Sequence, residues 1–489
     1  MRFVASCETL LWEPQGFRNG PPLVRLLLLL LVPVVCAPAA ELRDAAVLYE
    51  QMCASCHGTD LRGGKGGALL VDTLKHGKDD AAIERSIREG YPGAGMPAFG
   101  KVLQDGEVRA LAVFLREKTV NTPAPKENLP IDPKAVHRSE RHAYRIETVV
   151  DQGLQIPWSF VFLPDDSILL TERAGRLRLI ENGRLVERPI ENIPPVVEKG
   201  EGGLMSVALH PKYTANGWIY LAFSDPGFGD RAMTKIVRGR LRDHRFVDIE
   251  PVFAMPFYLY PEGHVLFGCR MVFDGNFLFF SVGERGMTGD AQKLDRPNGK
   301  IHRVRDDGSA PTNNPFAEQP GALASIWAYG VRNPQGLALD PRNQALWETE
   351  HGPRGGDELN LIRPGRNYGW PAITFGMNYD GTAVSEKTEA PGMEQPVRNW
   401  TPSIAASQLH FYTGDKFPGW KNNLFVGSLA QQRFIRFEVE HDQVVHEEEI
   451  FRNLGRIRDI VTGPDGFLYI ALEQIGAASG RIVRLVPAD

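Results

Sequence analysis

Ser167-Ile-Leu-Leu-Thr-Glu172, Gly217-Trp-Ile-Tyr-Leu-Ala222, Asn276-Phe-Leu-Phe-Phe-Ser281, Ala345-Leu-Trp-Glu-Thr349, Asn423-Leu-Phe-Val-Gly427 and Gly466-Phe-Leu-Tyr-Ile-Ala471 are variants of one short apolar run. Several follow a turn signal such as Pro-Asp-Asp or Pro-Asp-Gly, and their β-branched and aromatic residues favour strands. From Leu169 to Leu468 they recur about every 60 residues, the size of a four-stranded blade with long loops. The pattern predicts an all-β six-bladed propeller over residues 144–489, with an array of β-sandwiches as the alternative.

Upstream the pattern changes. Residues 41–118 predict a small all-α module with helices near 42–51, 79–89 and 105–117. Val108, Leu111, Ala112 and Leu115 mark the apolar face of the last helix, and Asp105 is its expected N-cap. Between the two regions, residues 119–143 lose periodicity. Pro123, Pro125, Pro130 and Pro133 stiffen this stretch into a linker. Residues 1–40 hold Arg18 and Arg25, an apolar run from Leu26 to Val35 and Ala37-Pro38-Ala39-Ala40. That is the layout of a secretory signal, the run being too short to span a bilayer. A lipobox at Cys36 and an uncleaved N-terminal anchor are alternatives, and each sends the chain out of the cytoplasm.

Composition fits this plan. Gly 50 and Pro 36 among 489 residues exceed the usual combined share of roughly 12% and suit a turn-rich fold. A net charge of −5 gives no attraction to phosphate backbones or anionic lipid, so nucleic acid is not an expected partner. Membrane contact is expected only through an N-terminal anchor. Cys7, Cys36, Cys53, Cys56 and Cys269 form no disulfide framework.

Cys53-Ala-Ser-Cys56-His57 carries the chemistry of the helical module. Two thiols on one helical turn can bond the vinyl groups of a haem, with the adjacent histidine as iron ligand. No second cysteine pair supports a zinc site. Met96, on the Gly95-Met-Pro-Ala-Phe-Gly100 loop, is the expected second iron ligand and His76 the competitor. These motifs resemble a small class I cytochrome c.

In the β region, Trp347-Glu-Thr-Glu-His351-Gly-Pro-Arg-Gly-Gly-Asp357-Glu358-Leu-Asn360 sets carboxylates and carbonyls among glycines, the oxygen ligands that Ca²⁺ takes. Arg332 in Tyr-Gly-Val-Arg-Asn333-Pro, with Arg456 and Arg458 alternating on one strand face, suits a polyanion held by forked hydrogen bonds. Glu201-Gly-Gly-Leu, Phe267-Gly-Cys-Arg270, these two segments, Asn367-Tyr-Gly-Trp-Pro371 and Arg456-Ile-Arg-Asp459 together resemble the soluble PQQ-dependent glucose and aldose sugar dehydrogenase family over residues 145–486.

The resemblance implies pyrroloquinoline quinone (PQQ) in an axial pocket, bound by Glu201, Arg332, Asn333, Arg456 and Arg458, with Tyr379 closing it. It places a catalytic Ca²⁺ on the carbonyls of Gly352 and Pro353, and a structural Ca²⁺ at Glu358 and Tyr368. It also implies oxidation of a sugar's anomeric hydroxyl, or a related alcohol, by hydride transfer to the quinone. Two positions depart from the family. The histidine expected as base is replaced by Leu266, which leaves His264 as the substitute if a bulge brings it in. Ala430 stands where a lysine often meets the quinone. The expected protein is an exported quinohaemoprotein that passes electrons through haem c to a redox partner or respiratory chain. The alternatives are a binding module that has lost its base and a Ca²⁺-dependent lactonase-like hydrolase.

Overall fold

The computed structural model describes residues 43–71, 74–119, 127–476 and 479–488. The signal segment, Cys7, Cys36, Pro123 and Pro125 lie outside them. Six antiparallel sheets follow one another along the chain, spanning 157–185, 204–253, 268–329, 334–400, 406–452 and 456–487. The first strands of the six pack side by side in a closed ring, which makes this a six-bladed β-propeller. Each of the six runs picked out from the sequence lies on the second strand of its blade: Ile168–Glu172, Ile219–Pro226, Phe277–Val282, Leu346–Glu350, Leu424–Ser428 and Leu468–Glu473. They resemble one another because all occupy the same layer, covered on both faces by neighbouring blades.

The ring is closed by a strand from the start of the domain. Ala143–Val150 pairs antiparallel with Gly480–Pro487, so the last blade holds both ends of the propeller sequence. His137–Arg138 extends that sheet, Ile131 packs on its core, and the Leu129 amide donates to the Asn453 carbonyl at 2.7 Å. The described end of the predicted linker is therefore bound to the propeller.

The N-terminal module contains α1 (Ala45–Met52), α2 (Ala54–His57), α3 (Asp80–Glu89) and α4 (Asp105–Thr119). Asp44 caps α1 by accepting from the Val47 amide, and Asp79 caps α3 by accepting from the Ala82 amide at 2.8 Å. Asp105 is the first helical residue of α4 rather than its cap. Its carboxylate pairs with Arg88, while Glu107 turns back to the Gln104 amide. Every residue of α4 from Gly106 to Leu115 is buried. A helix with one solvent face could not do this, so α4 is covered by its own module on one side and by the propeller on the other.

Candidate functional site

Cys53 follows α1, and Cys56 and His57 lie in α2, so one short helical segment presents all three groups. Both thiols are free. Burial pushes the Cys53 thiol up to about 11. His57 Nδ1 lies 2.7 Å from the Gly67 carbonyl. A carbonyl only accepts, so Nδ1 carries the proton and Nε2 is left as a free lone pair, the arrangement that orients a metal-binding imidazole. Half-buried Met52, Cys53, Leu69, Leu70, Leu74 and Phe99 adjoin the module's core. Met96 is half-buried, and its backbone exchanges two hydrogen bonds with Tyr91 at 2.8 and 3.1 Å. His76 is exposed and stacked on Tyr91 with ring centroids 3.8 Å apart. Two free thiols, a bare imidazole nitrogen and an apolar surround fit a covalently attached haem.

In the propeller, the starts of the innermost strands enclose a cavity of about 290 Å³ lined by Trp158, Glu201, Gln335, His351, Arg456 and Arg458, among others. Arg458 lies over the Trp158 ring at 4.3 Å, and its Nε donates to Glu473 at 2.6 Å. Arg456 reaches the same carboxylate only at 3.6 Å. Arg332 donates to the carbonyls of His351 and Gly352 at 2.9 and 2.7 Å. Asn333 Oδ1 accepts from the Gly268 amide and from Gln335, each at 3.1 Å, which turns its Nδ2 towards His351 Nδ1 at 3.5 Å. His351 therefore carries its proton on Nε2. Burial, then the nearby arginines, push its pKa down to about 3, so the ring is neutral.

Buried N–H groups on three residues lining this cavity, Arg173 (Nε), Arg456 (Nε) and His351 (Nε2), have no hydrogen-bond partner among the described residues, whereas the equally unpartnered Arg332 Nε belongs to a residue that lines a separate small void which His351 also borders. Such a surplus of donors around one cavity fits an anionic ligand with several acceptor oxygens. A wider depression of about 1050 Å³ opens at the far ends of the same strands, at the turns bearing Pro164, Pro211 and Pro464, and none of the motif arginines reaches it.

The base position is occupied as the sequence indicates. Leu266 is buried, and its amide donates to Glu201 Oε2 at 2.8 Å. His264 is not among the cavity-lining residues. It is joined to the rim by its carbonyl, which accepts from the Glu201 amide at 2.8 Å. Its Nε2 lies 2.9 Å from Asp230 Oδ1, and its Nδ1 is buried and unpartnered. Lys199, then His264, hold the Asp230 carboxyl below its ordinary value. An ionised carboxylate only accepts, so the His264 proton sits on Nε2 and Nδ1 is a bare lone pair. Tyr379 is 71% exposed and lies outside the cavity lining, so its side chain does not close the pocket in this structure. Cys269 is a buried strand thiol, and Arg270 ties three blades together through Gln335, Arg458 and Asp459.

Beside the cationic cavity lies an acidic cluster. Strands Leu346–Glu350 and Asp357–Ile362 pair so that Glu350 faces Glu358 and Glu348 faces Asn360. Asn360 Nδ2 donates to all three glutamates at 3.1 to 3.4 Å. Burial, with mutual repulsion, pushes all three carboxyls up. A void of about 10 Å³, about the size of one small ion, is bordered by Glu350, Gly352, Glu358 and Tyr368 and also by Arg332 and His351, so a cation there would share the space with a guanidinium. Carboxylate and carbonyl oxygens are the ligand type a hard cation takes, although among the described residues no three acidic, histidine or cysteine side chains are arranged to hold a metal ion. The Tyr368 hydroxyl donates to the Leu361 carbonyl at 2.6 Å and accepts from the Arg363 amide. At the other predicted calcium position the Gly352 carbonyl already accepts from Arg332, so a cation there competes with a guanidinium.

The sequence holds His351, the glycine loop and Glu358 in one segment and Arg332, Arg456 and Arg458 in two others, and it assigns no role to His351, Glu348, Glu350 or Asp230. Alternation along Glu348-Thr-Glu350 was the available sign for the glutamates, since residues two apart on a strand share a face. Nothing local pairs Asp230 with His264.

Comparison with known proteins agrees with this architecture. The cbb3-type cytochrome c oxidase subunit III family matches residues 40–115. Escherichia coli aldose sugar dehydrogenase YliI is 42% identical over 348 residues, 70% of this chain and 92% of that protein. Acinetobacter calcoaceticus quinoprotein glucose dehydrogenase B is 25% identical over 71% of this chain and 89% of its own length. The apo crystal structure of the soluble E. coli aldose sugar dehydrogenase superposes with a TM-score of 0.66 at 40% identity, covering 71% of this chain and all of that one. The glucose/sorbosone dehydrogenase family matches residues 154–484, and with the propeller, the motif arginines and the length of the match in agreement, the chain belongs to that family and carries a cytochrome c module ahead of it.

Proposed function

We propose that the protein is an exported quinohaemoprotein that oxidises the anomeric hydroxyl of an aldose, or a related alcohol, in the arginine-lined cavity. The observation that carries this reading is the set of unpartnered N–H donors on the cavity-lining residues Arg173, Arg456 and His351, with Arg332 beside them at the adjoining void. PQQ is a tricarboxylate whose oxygens would satisfy those donors, with Arg458, Asn333 and Glu201 completing the surround. Bound there, the quinone would supply a two-electron hydride acceptor, and the haem held by Cys53, Cys56, His57 and Met96 would supply a one-electron relay.

The chain's own part is to bind, to orient and to move a proton. His264 Nδ1 is the base-competent atom near the rim, and Asp230 holds the proton on the opposite nitrogen and stabilises the imidazolium once it forms. Neutral His351 donates from Nε2 and does not act as base. Ca²⁺ on the carbonyls of Gly352 and Pro353 would take the oxygen that Arg332 now holds and free the guanidinium for the ligand. A second cation at Glu358, with Tyr368 beside it, would neutralise the glutamate cluster. Export and an acceptor outside the cytoplasm follow from the N-terminal segment; among the described residues no helix is long and apolar enough to cross a membrane.

A second reading is that the propeller binds but does not turn over, favoured by Leu266 and by the absence of His264 from the cavity lining. Titrating the purified haem-loaded chain with PQQ and Ca²⁺, then adding aldoses, separates the two. Turnover predicts quinone uptake followed by reduction of the haem bands. A His264→Asn variant is expected to bind quinone normally and lose about 100-fold in rate. Quinone uptake without haem or dye reduction would establish the binding module, and no uptake at all would refute both.

A further inference from the structure

The two modules are not merely tethered. Gly106, in the first turn of α4, meets the propeller so closely that an added Cβ would stand 2.8 Å from Ala383 Cβ and 3.0 Å from the Ser385 carbonyl. The Gly106 amide donates to Glu386 at 2.7 Å, Arg116 donates to the Thr401 carbonyl at 3.0 Å, and the Ala45 amide donates to the Gly381 carbonyl at 3.1 Å. At the other end of α4, Glu117 pairs with both sides of the Arg354 guanidinium at 3.2 and 2.5 Å.

One propeller side chain crosses over. Met377 is fully buried, and it belongs to the apolar core of the helical module, the cluster against which Cys53 packs. Its backbone exchanges two 3.0 Å hydrogen bonds with Arg354, the residue after Gly352-Pro353. The loop that follows the cavity-lining His351 and the core around Cys53 are thus joined by one hydrogen-bonded residue pair.

We propose that this α4 contact is the electron exit of the propeller: electrons leave the cavity by way of the 352–354 loop and Met377 and enter the haem module across a fixed interface. The proposal rests on the quinone reading given above. Each aldose oxidised to its lactone releases two electrons and two protons. Each haem iron takes one electron in going from ferric to ferrous, so the interface is crossed twice per substrate. Both protons pass to water, and an external one-electron acceptor reoxidises the iron.

The experiment uses the full haem-loaded chain and its Gly106→Leu variant, in which the new side chain meets propeller backbone while remaining compatible with a helix. Hydrogen exchange at residues 375–386 is expected to be slow in the wild type and faster in the variant, with the haem spectrum and its reduction by ascorbate unchanged. Aldose-driven haem reduction in a stopped-flow instrument should slow at least tenfold, whereas aldose oxidation by a small dye that reaches the cavity directly should stay within twofold. Met377→Ala, which leaves the helix intact, should slow haem reduction about threefold with the same dye rate. Unchanged haem reduction in a variant whose exchange shows release, or fast exchange at 375–386 in the wild type, would overturn the fixed exit in favour of a tethered shuttle. A wild type inert with both acceptors sinks the quinone reading itself, and the exit with it.

Discussion

Two neighbouring walls of the propeller are incompletely paired in opposite senses, one with surplus N–H donors and the other with crowded carboxyls. Around the cavity, Arg173, Arg456 and His351 present N–H donors without acceptors, while Arg458 is held by Glu473. One loop away, Glu348, Glu350 and Glu358 share the amide of a single asparagine. Either arrangement alone is costly, because buried charge is tolerated only when it is paired and hydrogen-bonded. Glu350 also bonds the Arg332 and Asn333 amides, so the two walls meet at one residue. Under the proposed function each would be completed by a ligand of opposite sign, a polyanion on one side and a cation on the other.

The largest expected effect comes from removing a donor at the cationic wall. Arg332→Ala should weaken quinone binding about 100-fold in a titration, or about 3 kcal/mol, and an unchanged affinity would break the assignment of that wall. At the acidic wall, Ca²⁺ at one hundred times its Kd should raise unfolding stability by about 2.7 kcal/mol, measured by thermal melting with and without chelator. Glu358→Gln should abolish most of that response.

The pH dependence sharpens the contrast. Burial raises Asp357 from 3.8 to about 6 and pushes the three glutamates up as well. The folded state therefore holds protons that the unfolded chain has already released. Chelated protein should lose stability as pH rises from about 4 through about 6 and beyond, and Ca²⁺ should flatten that slope. The smallest expected effect is at Ala430, which is exposed. Ala430→Lys adds a charge near the cavity and should tighten quinone binding about threefold, a surface-pair contribution of roughly 0.6 kcal/mol.

The propeller is readable because its second strands are buried on both faces and so repeat as apolar runs, and the Cys-x-x-Cys-His motif because its residues are adjacent in the chain. Asp105 has the residue type of a cap, yet the start of α4 is set by Glu107 accepting from the Gln104 amide, a choice among neighbouring polar residues. Tyr379 was placed in the pocket by its motif, whereas its segment is drawn towards the helical module, where the Arg354 guanidinium reaches the Tyr379 carbonyl.

By itself the sequence determined the blade count, the Cys-x-x-Cys-His motif and the arginine pattern, and the family resemblance marked Leu266 as standing where a histidine is expected. These are local: a strand's periodicity, a motif's spacing and the chemistry of one side chain need no partner to be recognised. Only the tertiary structure decided that Asp230 orients His264, that three glutamates share one buried site and that Met377 enters the core of the other module. Each of those depends on residues separated in sequence being forced together by the closed ring and by burial of α4 on both sides, and no spacing rule encodes such meetings.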